Sequence, residues 1–388
     1  MTRVLFVCEK NQPRLWRQAS ALRATGRYKL GLVVSEEFLQ AGKLPDLFDE
    51  VHTYRRHPLF GKLPYVRRYL GTRDKPLRDV CNSLRGKWDI AHDHGLWGQN
   101  FIDRAAIEAL DCPTVFDCYD ITSVFVEPGK MTRKQSDDER FCFERSAGII
   151  LKAGEDYVRE HYHVTAPVLI FRDYCVPEAT VTDPLPKLSA RDGELHIVYT
   201  GMVFPMSHLR GPYGRSQYLG IAQQLAAAHV HFHIYPTPFS GKLDLSAYEQ
   251  FARDSRYFHL HASVPPDKLP REISQYDWAM QIHDPTGTTL QVEQFTYTMG
   301  NKTFTYLEAG LPQVVNDELV ACAEVVREWG IGVTLPWSQM AGLGDLLRAQ
   351  DLQAIGANVV RAREELSMPV QIKRLEDFYD QVLARGRA

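Results

Sequence analysis

Nowhere in the 388 residues does an apolar run approach the roughly 18 to 20 residues that a membrane-spanning helix requires. Arg3 to Cys8 already reads as a strand, leaving no room ahead of it for a signal peptide. The short signatures of several enzyme classes are missing too. No G-x-G-x-x-G follows the first strand, which speaks against a dinucleotide-dependent dehydrogenase, and no Walker A loop supports a P-loop ATPase or kinase. Without G-x-S-x-G there is no nucleophile elbow of an α/β hydrolase. Charge of one sign is lacking: 45 Lys and Arg face 48 Asp and Glu, a formal net charge of −3, so nothing marks a nucleic-acid partner. The seven cysteines are an odd number with no C-x-x-C, and several sit in apolar runs. They read as reduced, buried thiols of a cytoplasmic protein.

Present instead is an alternation of short apolar runs with helical patterns. Val4–Val7, Leu30–Val34, Val51–Tyr54, Asp89–His92, Thr114–Asp117, Gly148–Leu151 and Val168–Phe171 read as strands separated by helices. Near-continuous apolar strands of this kind belong in a parallel sheet covered on both faces. Pro177, Pro184 and Pro186 mark an exposed linker, and the alternation then begins again at His196–Gly201. The expected class is α/β, with two Rossmann-like doubly wound domains. The first spans 1–178, with 369–388 returning to it, 179–193 is the linker, and the second domain spans 194–368.

In such sheets ligands sit beyond the carboxyl ends of the strands, so those residues are the ones to inspect. In the first half they include His94, which can hydrogen-bond a hydroxyl, shuttle a proton or serve as a structural cap. Asp120 can orient a hydroxyl or cap the next stretch of chain. In the second half, Gly201 ends a strand in a turn, and Arg210 and Arg215 come next in a loop where they can clamp a diphosphate or stay exposed. His283 ends the strand before the most informative segment, Gly300 to Val315. There Asn301 is placed to cap a helix and Lys302 to face a phosphate; Gly310 and Pro312 stop the helix before a buried strand. His229, His231 and His233 alternate along one strand, and His259 and His261 along another. No Cys or carboxylate completes a set at ligand spacing, so they read as structural and no metal is expected. Basic and aromatic residues interleave over 55–69, a pattern that fits a solvated face or peripheral contact with the inner face of a membrane.

The stretch Lys302 to Pro312, with Asp89–Gly95, Cys118–Asp120, Glu144–Leu151 and Ile197–Met202, resembles the GT-B glycosyltransferases, and most of all the large retaining family numbered four. The resemblance implies a nucleotide-diphosphate sugar donor held mainly by the C-terminal domain, and a glycan, lipid-linked or small-molecule acceptor held mainly by the N-terminal one. It implies chemistry without a cofactor or bound metal, with Lys302 at the diphosphate and His94 at the transferred sugar. The glutamate pair usual in that family falls on Thr298 and Thr305. Glu308, one turn beyond Thr305, is then the candidate for the ribose. Met202 replaces the usual basic residue, leaving that duty to Arg210 or Arg215. These departures keep two alternatives open: a catalytically silent subunit in a glycan assembly complex, and a nucleotide-sugar epimerase.

Overall fold

The structure, a computed structural model, describes residues 1–9, 12–37, 46–55, 74–95, 97–211, 213–237 and 243–386. They divide into two compact units, Met1–Asp173 with Gln371–Ala388, and Tyr174–Val370.

In the first unit the described strands are β1 (Thr2–Cys8), β2 (Tyr28–Ser35), β3 (Glu50–Tyr54), β4 (Ile90–Gly95), β5 (Thr114–Cys118), β6 (Gly148–Leu151) and β7 (Val168–Ile170). They form one parallel sheet in the order β3-β2-β1-β4-β5-β6-β7. The order reverses between β1 and β4, the switch point where α/β sheets open a crevice for ligands. Val4, Leu5, Phe6 and Val7 are all buried, as a strand covered on both faces must be. The helix Pro13–Thr25 starts on a proline and stops at Gly26, whose φ of 67° an L side chain adopts at a cost. The helix Arg133–Arg145 opens with a capping box between Thr132 and Gln135. The last helix, Met368–Gly386, comes back to this unit and buries Leu375, Phe378, Tyr379 and Val382. Gly148 lets it approach β6, since a Cβ there would lie 2.7 Å from Val382 Cγ2.

The second unit contains β8 (Leu195–Gly201), β9 (Val230–Pro236), β10 (Phe258–Leu260), β11 (Trp278–Gln281), β12 (Gln313–Asn316) and β13 (Gly332–Leu335), ordered β10-β9-β8-β11-β12-β13 and again parallel. One sheet face packs Ile197, Tyr199, Phe232, Ile234, Trp278 and Met280. The other carries Val198, Ala279, Tyr306 and Leu311. In the proline-rich stretch expected as an exposed linker, Pro177, Pro184 and Pro186 are exposed, while its backbone is strapped to this unit. Val176 N–H donates to Glu308 Oε1 (3.0 Å), Val181 N–H to Glu308 O (2.8 Å), and Leu188 N–H to Gln275 O (3.0 Å). Its backbone amides needed partners, and the second unit supplies them.

None of the seven cysteines forms a disulfide, and all but Cys112 are buried. No helix among the described residues is long and apolar enough to cross a membrane. Of the basic 55–69 segment only Arg55 is described, so the expected membrane contact falls outside the described residues.

Candidate functional site

Lys302 is the first residue of the short helix Lys302–Glu308 at the carboxyl edge of the second sheet. Tyr306 fixes that helix: its hydroxyl donates to Met280 O (3.0 Å) and accepts from Thr200 N–H (3.1 Å), tying the helix to β11 and β8. Thr303 Oγ1 adds a bond to Gln281 Oε1 (3.2 Å). The lysine side chain runs back along Gly201, placing its Nζ 5.3 Å from the Tyr199 ring centroid. Gly201 has φ 139°, and a Cβ there would lie 2.6 Å from Lys302 Cε and 3.1 Å from Nζ. Only glycine leaves that path open.

Burial lowers the Lys302 pKa to about 8, and the Arg215 charge pushes the same way. Among the described residues Cys322 pulls it up and no carboxylate does so. Burial, with Arg215 and Lys302 behind it, also holds the His283 imidazole well below its ordinary pKa, so it is neutral at pH 7. His283 is positioned through its backbone, its N–H donating to Asn316 Oδ1 (3.0 Å) and its C=O accepting from Asn316 Nδ2 (3.2 Å) at the end of β12. Arg215 sits in the turn Gly214–Ser216, where Gly214 is pressed on the chain: a Cβ would come within 1.6 Å of Gly287 O. Gly201, Arg215, His283 and Lys302 therefore converge on one edge of the second sheet.

The remaining expected donor residues are placed less directly. Asn301 stands where a cap would, but its backbone is helical (φ −60°, ψ −22°) and its side chain makes no capping bond, which normally requires an extended residue. The expected cap is therefore not formed. With only seven residues behind it, the helix adds little dipole, and the ammonium supplies the charge. Arg210 is exposed, with φ 61° and its N–H donating to Gly287 O (2.7 Å). Thr305 turns its hydroxyl back to Asn301 O (3.4 Å). Glu308 is buried, with Oε1 holding the strap at Val176. Tyr199, Tyr306 and Gln281 were not anticipated; as polar-tipped residues in apolar runs they carried only a weak signal.

The first unit gathers a second cluster at the end of β4. His92 and His94 stack with ring centroids 4.5 Å apart, against Phe6 at 5.1 and 5.6 Å. The β4–β5 register sets Asp117 opposite His94. Asp117 accepts from Arg14 Nε (2.8 Å), Gln18 Nε2 (3.1 Å) and His92 Nε2 (3.1 Å). Burial alone would raise its pKa, but Arg14 and the His92 hydrogen bond hold it far below the carboxylate range. Arg14 also pairs with Asp173 (3.0 Å). His92 Nδ1 meets Tyr379 Oη at 2.5 Å. His94 is different. Both of its ring nitrogens are buried without a hydrogen-bond partner among the described residues, and Asp117 Oδ2 is 3.8 Å from Nδ1. Burial and the neighbouring His92 keep it neutral. Asp120 is paired with the buried Lys152 (3.3 Å); burial works to lower the Lys152 pKa, but Asp120, Tyr119 and Asp173 together raise it. The sequence had not pointed to Arg14 or Asp117, although an aspartate ending the apolar run Thr114–Asp117 was a visible signal.

Two parallel sheets of this order are those of the GT-B class of fold, and the chain has that fold. It is similar over 99% of its length to all of a solved sucrose-phosphate synthase from Thermosynechococcus elongatus, with TM-score 0.70 at 12% identity. It is similar over 98% to all of Anabaena HepE, solved in complex with UDP and glucose (TM-score 0.65, 13% identity). A third likeness, over 98% of this chain and 99% of the other, is to an E. coli trehalose-6-phosphate protein bound with UDP-2-fluoro glucose (0.66, 10%). No protein-family model and no curated sequence matches the chain.

Proposed function

We propose that the protein is a glycosyltransferase that takes a hexose from a nucleotide-diphosphate donor, with the donor diphosphate held by Lys302 and Arg215. One observation carries this reading: the Lys302 side chain is laid along Gly201 at the carboxyl edge of the sheet, its pKa lowered by desolvation and by the Arg215 charge, with no carboxylate among the described residues raising it. Surroundings that disfavour the charged lysine are relieved when an anionic ligand supplies the counter-charge. A diphosphate does so. HepE with UDP and the E. coli protein with UDP-2-fluoro glucose favour a uridine nucleotide as the first donor to test.

In the reaction the bond from the anomeric carbon to the diphosphate oxygen breaks and the acceptor oxygen bonds to that carbon. The acceptor proton passes to the departing phosphate oxygen if attack comes from the same face, the retaining course. Negative charge grows on the diphosphate as it leaves, and Lys302 and Arg215 are fixed where they stabilise it without a metal. Neutral His283 adds no further repulsion to those cations. His94, with two unpartnered nitrogens, is assigned to the hydroxyls of the transferred sugar, and Asp120, fixed by Lys152, to the acceptor, whether glycan, lipid-linked or small molecule.

Isothermal titration of the full chain with UDP and UDP-glucose tests the reading. Binding of either, weakened roughly 10- to 100-fold in Lys302→Ala, is expected, since a hydrogen bond to a charged group is worth about 1.5–3 kcal/mol. No binding of any nucleoside diphosphate or its sugar ends it.

A further inference from the structure

We propose that five histidines of the second unit form an acid-released latch: two hydrogen-bonded imidazole relays that hold the edge strand β10 and the segment entering β8 onto β9 while the rings are neutral. The register creates them. His196 on β8 pairs with His231 on β9, and His233 with His259 on β10, so alternation brings these rings, with His261, to one sheet face. In the first relay Asp192 Oδ2 lies 3.0 Å from His196 Nε2, His196 Nδ1 lies 2.9 Å from His233 Nε2, and His233 Nδ1 lies 3.0 Å from His261 Nε2. In the second, Glu194 Oε2 lies 2.6 Å from His231 Nε2, and His231 Nδ1 lies 3.0 Å from His259 Nε2.

The two carboxylates fix every proton. An ionised carboxylate only accepts, so Nε2 of His196 and of His231 must carry the hydrogen. In a neutral ring Nδ1 is then the acceptor, and the next ring must in turn donate through Nε2. All five imidazoles are thereby held as one tautomer, each link satisfied. A proton added to an inner ring sets N–H against N–H unless every link between it and β10 reverses. Each relay can take one in that way, but the relays lie against each other: His196 stacks on His231 at 4.4 Å and His233 on His259 at 4.2 Å, so a second imidazolium meets like charge. Burial, and then the neighbouring rings, hold His196, His233 and His259 below the ordinary imidazole range, His259 at about 4; burial does the same to His261. Acids oppose this only in part. Asp192 and Asp277 act on His196, and Glu272, on the helix Leu269–Ile273, on His261. Glu194 is shared with Arg256. The remaining neighbours are tyrosine rings: Tyr235 on His261, Tyr257 on His231 and Tyr276 on His233, at 4.3, 4.9 and 4.5 Å.

Folded pKa values below the unfolded one give stability that is complete above about pH 6.5 and lost as pH falls. Both relays end on β10 at half-buried rings, so solvent protons enter there and β10 is released first. Nitrogen NMR of the full chain with labelled histidine tests the relays directly: all five rings should be neutral Nε2–H tautomers at about pH 7.5. Hydrogen exchange tests the latch. Protection of residues 256–263 should fall at least about tenfold between pH 7.5 and 5, after correction for the chemical exchange rate. In the double variant His259→Phe, His261→Phe, which keeps a ring at each open end, that fall should vanish, and roughly two fewer protons should be taken up on urea unfolding at about pH 5.5. Rings protonated or Nδ1–H at pH 7.5, equal protection at both pH values in the parent, or an undiminished fall in the variant overturns the proposal. If the variant does not fold, the parent's NMR and exchange decide it.

Discussion

At the scale of single residues, Lys302 carries two opposed requirements. Its ammonium is held in surroundings that lower its pKa to about 8, so the folded protein stores unfavourable charge until an anion arrives. Lys302→Met should therefore raise the melting temperature of the ligand-free protein by several degrees while removing the UDP-dependent rise, both read from thermal unfolding. The pH dependence has a definite sign. Diphosphate favours the protonated lysine, which in the free protein is lost as pH rises through about 8, so UDP affinity should fall between about pH 7 and 9.5. Lys302→Arg, which stays charged, should flatten that part of the titration profile. Gly201→Ala should weaken UDP by about tenfold or more, because the added methyl meets Lys302 Cε and the backbone at φ 139° is strained by about 1–3 kcal/mol. An intact fold with unchanged UDP affinity in that variant would refute this account of the glycine.

At the scale of elements, the joint between β4, β5 and the first helix is held by charge rather than by apolar packing alone. Arg14, on the helix Pro13–Thr25, reaches Asp117 on β5 and Asp173 beyond β7, and all three are buried. Removing one partner of such a network strands the others, so Arg14→Met should cost about 3–5 kcal/mol in urea unfolding, more than an exposed pair such as Lys75–Asp79 could. On the opposite face of β4, burial and then the Asp117 charge raise the Asp93 pKa to about 8. A folded pKa above the unfolded one gives stability that is complete below about pH 4 and lost as pH rises towards 8. Asp93→Asn should remove that loss, leaving the variant more stable than the parent at about pH 9 and little different at about pH 4. A parallel fall in both proteins would rule it out.

At the scale of the whole chain, the first unit is discontinuous: its last element is Gln371–Ala388, supplied from beyond the second unit. That element buries Leu375, Phe378, Tyr379 and Val382, and its Tyr379 meets His92. Ending the chain at Val370 should therefore unfold the first unit and expose its sheet, seen as loss of one calorimetric transition with a second transition retained and still shifted by UDP. A truncated protein that keeps both transitions would show the helix to be dispensable.

The sequence by itself determined the α/β class, the two parallel sheets and the stop at Gly310. Short continuous apolar runs, glycine stops and proline breaks are local effects that neighbouring residues impose whatever the rest of the chain does. The strap at 174–193, the Arg14–Asp117–His92 network, the missing Asn301 cap and the meeting of His196, His231 and His233 with Asp192 and Glu194 were decided only by tertiary structure. Each depends on strand order and register, which bring together residues distant in the chain, and on burial, which sets whether a charge is paired, neutral or left waiting for a ligand.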